Sequence, residues 1–156
     1  MEIANRTSPW WYDEGFLMKP VAQTVSRRFE AYRVWGGIST ETGSRTRRGV
    51  CLTFKKPASR RQAEGLLAVW EWGNACRFTT AFEILPGATI FVGWVRPGHN
   101  DDASLGAPGS QIFVEGTLEQ NPFIRKIGLK QPLVDDVGPY FIVPNRDPKL
   151  RHRPSS

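Results

Sequence analysis

The chain has 156 residues, 40% hydrophobic and 12% aromatic, with a formal net charge of +6 and a pI near 9.7. That length fits one domain with a real core, and no window approaches the roughly 18 apolar residues that a membrane span needs. Glu2, Arg6, Asp13 and Glu14 interrupt any apolar run at the start, so no signal peptide is read there. The expectation is a soluble protein with no membrane contact, which, if exported, depends on a larger polypeptide or a secretion system.

The positive balance keeps nucleic acid or another anionic partner open. The basic residues are spread, with the densest groups at Arg45-Thr46-Arg47-Arg48, Lys55-Lys56, Arg60-Arg61 and Arg151-His152-Arg153. Cys51 and Cys76 have no second Cys or His at metal-ligand spacing. They read as buried free thiols, with a single disulfide left open.

Residues 1–20 read as an irregular arm in which Trp10-Trp11-Tyr12 is a hydrophobic anchor for the body or a partner. Val21, Val25 and Phe29 at i, i+4 and i+8 predict a short amphipathic helix over 21–30. Residues 31–35, AYRVW, predict a strand with Arg33 inside an apolar run. A charge there needs a partner or an open cleft, and a guanidinium fork suits phosphate or carboxylate. Gly36-Gly37 end the strand and a polar, basic loop follows over 38–49. Residues 50–54 predict the next strand, with Thr53 among apolar neighbours.

Ser59 and Gln62 have capping-box spacing. The helix they open runs to about Trp72, with Ala63, Leu66, Leu67 and Trp70 as its apolar stripe and Gly73-Asn74 as its stop. Residues 75–85 predict a strand with Phe78, Thr80, Phe82 and Ile84 in phase. Pro86-Gly87 then leads to a strand over 88–95, which reads as an antiparallel hairpin.

A long Gly/Pro/Asp-rich loop precedes a strand over 111–115, whose alternation puts Gln111, Phe113 and Glu115 on one face and Ile112 and Val114 on the other. Gln111, just after Gly109-Ser110, is expected at the mouth of a cleft. A short helix broken by Pro122 is expected within 117–127, a last strand at 140–143 and a disordered basic tail from 145. The organisation is an arm and short helix over 1–30, a catalytic domain over 31–144 and a tail over 145–156. The fold class is α+β: mostly antiparallel β with one well-defined helix.

The histidines, His99 and His152, do not support a nucleophile triad. The run His99-Asn100-Asp101-Asp102 reads as an exposed loop rather than a metal site, so no metal is expected. There is no P-loop and no dinucleotide fingerprint. What remains is Arg33 on an early strand, Thr53 on the next and Gln111 on a late one.

That order, with Tyr32-Arg33-Val34-Trp35-Gly36-Gly37, Leu52-Thr53-Phe54, Leu85-Pro86-Gly87-Ala88-Thr89 leading to Val92-Gly93, and Gly109-Ser110-Gln111-Ile112-Phe113-Val114, resembles the ADP-ribosyltransferase superfamily. More narrowly it resembles the NAD-consuming toxin domains of bacterial polymorphic toxins, the tuberculosis necrotizing toxin type among them. The resemblance spans about 32–115. It implies a split sheet around an NAD cleft, with NAD as substrate. Arg33 would grip the pyrophosphate, Thr53 would lie by the nicotinamide ribose, and Gln111 would take the place of the transferases' catalytic glutamate. Gly36, Phe54 and Phe113 complete the implied NAD-binding set, with Trp35 beside them against nicotinamide.

Breaking the nicotinamide–ribose bond builds positive charge on the ribose, as in glycoside hydrolysis. The position two residues after Gln111, an acid in transferases, is Phe113, and Glu115 is two residues further on the same face. This departure favours hydrolysis of NAD over transfer, with Glu115, or an acid elsewhere such as Glu83, as the carboxylate. The alternatives are mono-ADP-ribosyl transfer to a protein or nucleic acid, and a non-enzymatic basic β module that binds nucleic acid. The resemblance also implies an immunity protein as partner and action in the cytoplasm after delivery within a larger effector.

Overall fold

The computed structural model describes residues 9–43, 48–67 (backbone only from 65), 74–95 and 110–134. Their elements are α1 (Trp10–Asp13), β1 (Val21–Thr24), β2 (Phe29–Gly37), β3 (Gly49–Leu52), α2 (Arg60–Leu67), β4 (Asn74–Ile84), β5 (Thr89–Trp94), β6 (Ser110–Glu115), β7 (Ile124–Lys126) and β8 (Gln131–Pro132). The strands form two sheets. The first has the order β1-β5-β6-β3; the second has β2-β4-β7, with β8 also on β4. Every pairing is antiparallel. The expected α+β class with mostly antiparallel β is the observed one.

Alternation builds the core. Val50, Leu52, Ile90, Ile112 and Val114 point from the first sheet, and Ala31, Phe82 and Ile84 from the second, into one buried cluster between them. The outer face of the second sheet carries Val34 and Cys76 against Ala63 of α2 and Leu133. The outer face of the first carries Cys51 and Phe113, covered by Phe16, Trp10 and Trp11. The aromatic arm is thus an anchor on the body. Cys51 and Cys76 are both free and buried, in separate clusters.

The start of α2 is legible in the sequence. The Gln62 amide N–H donates to Ser59 Oγ (3.1 Å), and the Gln62 side chain reaches back to the Ala58 N–H. The predicted end of this helix, 68–73, lies outside the described residues, as do the loop 96–109 with His99, the strand at 140–143 and the tail.

Three expectations are overturned. Residues 21–30 are not a helix but β1, a bend and the start of β2. All four β1 side chains are exposed, and β1 is held by its backbone ladder to β5, so side-chain periodicity said nothing about it. From Trp10 onward the described part of the arm packs on the body, with Trp10, Trp11 and Phe16 against Cys51 and Phe113. Next, β4 and β5 do not form a hairpin. Pro86-Gly87 carries the chain from one sheet to the other, where Val25 bonds both the Gly87 N–H and the Ala88 carbonyl at 2.8 Å. Both strands bury alternate residues in the same core, so their pattern is the same for either arrangement. Last, 117–127 holds no helix. The Asn121 side chain accepts the Phe123 N–H (2.8 Å) in a turn at Pro122, and the chain then pairs with β4 as β7.

Candidate functional site

Among the described residues, one backbone bridge joins strand β2 to the end of β3. Tyr32 of β2 and Thr53, just past β3, exchange backbone hydrogen bonds of 2.9 Å each. Beyond that pair the strands part, and β3 presents carbonyls with no strand opposite. Arg33 fills the split. Its Nε donates to Thr40 O (3.2 Å), Nη1 to Cys51 O (3.2 Å) and Nη2 to Gly43 O (3.4 Å), and the residue is 3% exposed. Three backbone acceptors around one cation explain why a charge can lie this deep. The same bonds hold the tight turn at 40–43, which delivers the Glu41 carboxylate to Thr80 Oγ1 (2.9 Å) and Lys126 Nζ (2.9 Å).

Gly36 sits at the irregularity that ends β2, with φ +144; an added Cβ there would lie 3.0 Å from the Arg77 nitrogen. Its amide and carbonyl are both taken by Ser39 Oγ at 2.9 Å. Thr53 is buried, and its hydroxyl is engaged with the backbone of Lys55. Phe54 is exposed and stacks on Phe29, with centroids 5.7 Å apart.

Gln111 lies two strands from Arg33. The β3–β6 ladder ends at Leu52↔Ile112, and one further step brings Thr53 level with Gln111. Thr53 and Gln111 therefore stand level across β3 and β6, and the residue level with them on β2 is Tyr32, with Arg33 the next along. Their side chains take different sides. Gln111 shares its face with Phe113 and Cys51, the face beneath the arm. The expectation of an amide at a cleft mouth is corrected here: Gln111 is 1% exposed, and its Nε2 donates to Glu14 O at 3.1 Å.

Phe113 is fully buried among Trp10 (5.2 Å between centroids), Phe16 (6.5 Å) and Phe91 (6.3 Å). Gly93, opposite Gln111, leaves the space that Phe16 occupies: an added Cβ would meet the Phe16 ring at 2.9 Å.

Glu115 is at the other end of β6, opposite Gly49, roughly 13 Å of strand from Gln111. It is exposed and lines a cavity of about 450 Å³ with Phe91, Thr117, Gln120, Asn121 and Phe123. Glu83 lies on the outer face of the second sheet. There Arg28 and Arg125 hydrogen-bond its carboxylate and hold it below the usual range. Among the described residues, Glu14 and Glu41 are instead joined to this region, Glu14 through its carbonyl to Gln111 and Glu41 on the turn held by Arg33. Neither was found in the sequence, because each is delivered by an irregular segment that no periodicity describes.

Among the described residues, no helix is long and apolar enough to cross a membrane. No protein-family model and no curated protein matches the chain. A solved structure of Tne2 in complex with Tni2 is similar in fold, with a TM-score of 0.53 over 76% of this chain and 95% of that one, at 12% identity.

Proposed function

We propose that this chain is an NAD+-cleaving toxin domain that releases nicotinamide by hydrolysis. The observation that carries the reading is that Thr53 and Gln111 stand level on β3 and β6 where Tyr32, the neighbour of Arg33, bridges the two sheets. It supports the order of motifs that resembles the ADP-ribosyltransferase superfamily. In that reading NAD+ approaches the junction, and the Gln111 amide, freed from Glu14 O, holds a ribose hydroxyl while the nicotinamide leaves. Because Gln111 is buried, the segment Glu14–Phe16 has to lift from β6 before substrate reaches it. Arg33 acts from beneath, fixing the 40–43 turn and the edge of β3. Water is the acceptor, since the acid that transferases place two residues after the first catalytic position is here Phe113, locked in an aromatic cluster. That the fold neighbour Tne2 was solved bound to a second protein, Tni2, supports an immunity protein as partner.

The test is NAD+ turnover by the purified chain, with nicotinamide and free ADP-ribose measured separately. The two products rise together in wild type, and Gln111→Ala lowers kcat by about 10²–10³-fold, the usual effect of losing one preorganised donor. Nicotinamide without matching ADP-ribose in the presence of lysate would reassign the reaction to transfer. No NAD+ loss would end the enzymatic reading.

A further inference from the structure

Another group of side chains lies on the inner face of the second sheet beyond Arg33, among them Trp35, which the resemblance places against nicotinamide. Trp35 and Phe78 are direct cross-strand partners, with ring centroids 4.7 Å apart, and both are half-buried. The Trp35 indole N–H donates to Thr80 Oγ1 (3.0 Å), which holds the ring along β4. Thr80 Oγ1 in turn donates to Glu41 Oε2 (2.9 Å), and Glu41 Oε1 pairs with Lys126 Nζ (2.9 Å). Lys130 Nζ stands 4.6 Å from the Phe78 centroid and 5.7 Å from that of Trp35. A pair of aromatic rings, two ammonium groups and one carboxylate are thus gathered at one end of one sheet.

The geometry points to a nucleotide-binding platform here. The rings supply a stacking surface for a base, which any base can use because each has a π-face. Lys126 and Lys130 supply cations for a phosphate, and Glu41 accepts from a ribose hydroxyl or a base amine. The Lys130 ammonium occupies the ring face in the unliganded chain. Its side chain is exposed and rotatable, so a stacking base displaces it from the rings and meets it again as the counter-ion of its own phosphate.

The network Trp35–Thr80–Glu41–Lys126 keeps the remaining groups in place, and its anchor is the turn held by Arg33. The shared chemistry, a planar base with a phosphate, comes from a free nucleotide or from single-stranded nucleic acid. The platform does not depend on NAD+ cleavage or on Gln111.

The experiment is calorimetric titration of the full chain with adenosine monophosphate, NAD+ and a short single-stranded oligothymidylate. Wild type is compared with Trp35→Ala, Trp35→Phe and Lys126→Ala/Lys130→Ala, the fold of each checked by circular dichroism. The expected result is binding weakened about tenfold or more by Trp35→Ala and by the double lysine variant, with Trp35→Phe near wild type. For the oligonucleotide, the slope of log K against log salt falls by roughly 0.7 per lysine removed. Tighter binding of adenosine monophosphate or NAD+ identifies a free nucleotide as the ligand, and tighter binding of the oligonucleotide identifies a strand; both support the platform. No binding by any of the three, or binding that these variants leave unchanged, overturns it. Gln111→Ala leaves the binding of adenosine monophosphate and of the oligonucleotide intact, so loss of NAD+ turnover and loss of this site are separate results.

Discussion

The split around Arg33 and the arm-covered face around Gln111 each bury one polar side chain against backbone carbonyls, by different means. Arg33 is enclosed by the divergence of its own strands and by the loop joining them, and its three acceptors come from Thr40, Gly43 and Cys51. Gln111 is enclosed by a segment 97 residues away in sequence, to which its Nε2 donates at Glu14 O. The first enclosure is part of what makes two sheets from one chain. The second is a cover that can leave while the sheet beneath stays paired to β5 and β3. Burial alone does not separate a structural polar group from a functional one; the origin of the partners does.

The largest expected effect comes from removing the guanidinium. Arg33→Met takes the guanidinium from three carbonyls beside the Tyr32–Thr53 bridge, Thr40 O and Gly43 O keeping only the bonds of their own turn, and should lower stability by about 3 kcal/mol. Arg33→Lys should recover only part of this, because a single ammonium cannot serve acceptors spread over three directions. Urea unfolding midpoints measure both. A loss of under 1 kcal/mol for Arg33→Met would show that the split is held by packing alone.

A smaller effect should separate the cover from the sheet. Gly93→Ala drives a methyl into the space of the Phe16 ring, where the closest approach would be 2.9 Å. The cost should be about 1–2 kcal/mol, as for a modest overpacking, and it should fall on the arm. Hydrogen exchange should rise at Leu17, whose amide is bonded to Trp94 O at 2.9 Å, while amides of the β5–β6 ladder stay protected. Exchange that rises equally in β6 would mean that arm and sheet open as one unit.

The same contrast marks what was legible in the sequence. Residues 31–35 and 111–115 announced their strands and their facing because alternation there is set by one buried face. Ser59 with Gln62 announced α2 through local capping chemistry. The neighbourhood of Arg33, Thr53 and Gln111 on adjacent strands was legible as an order of motifs. What failed was whatever depends on a distant backbone. β1 offers no side chain to the core, so its spacing imitated a helix. The turn at Pro86-Gly87 looks alike whether it closes a hairpin or changes sheets, and the difference is made by Val25. The burial of Gln111 was invisible for the same reason, since its acceptor, Glu14 O, belongs to the arm. Glu115 shares the face of Gln111 as alternation requires, yet a strand is too long for both to serve one site.

Glu83 extends the comparison to a third buried polar group and carries the smallest expected effect. Its side chain is 7% exposed, but its partners Arg28 and Arg125 are 48% and 67% exposed, so solvent and salt screen them. Hydrogen bonds from Arg28, then Arg125, lower its pKa in the folded chain. The unfolded value lies near the ordinary glutamate value of about 4.3. A carboxylate depressed on folding contributes stability that is fully present above the unfolded pKa and is lost as pH falls toward the folded one. Wild type should therefore lose stability on acidification below the ordinary glutamate range, and Glu83→Gln should flatten that part of the profile. Added salt should shrink the difference between the two at neutral pH, because the arginines are at the surface. Arg33→Met should respond less to salt, because the bonds it loses to Thr40 O, Gly43 O and Cys51 O lie in the interior. If salt moved both variants alike, the distinction between partners from the backbone and partners from the surface would not hold.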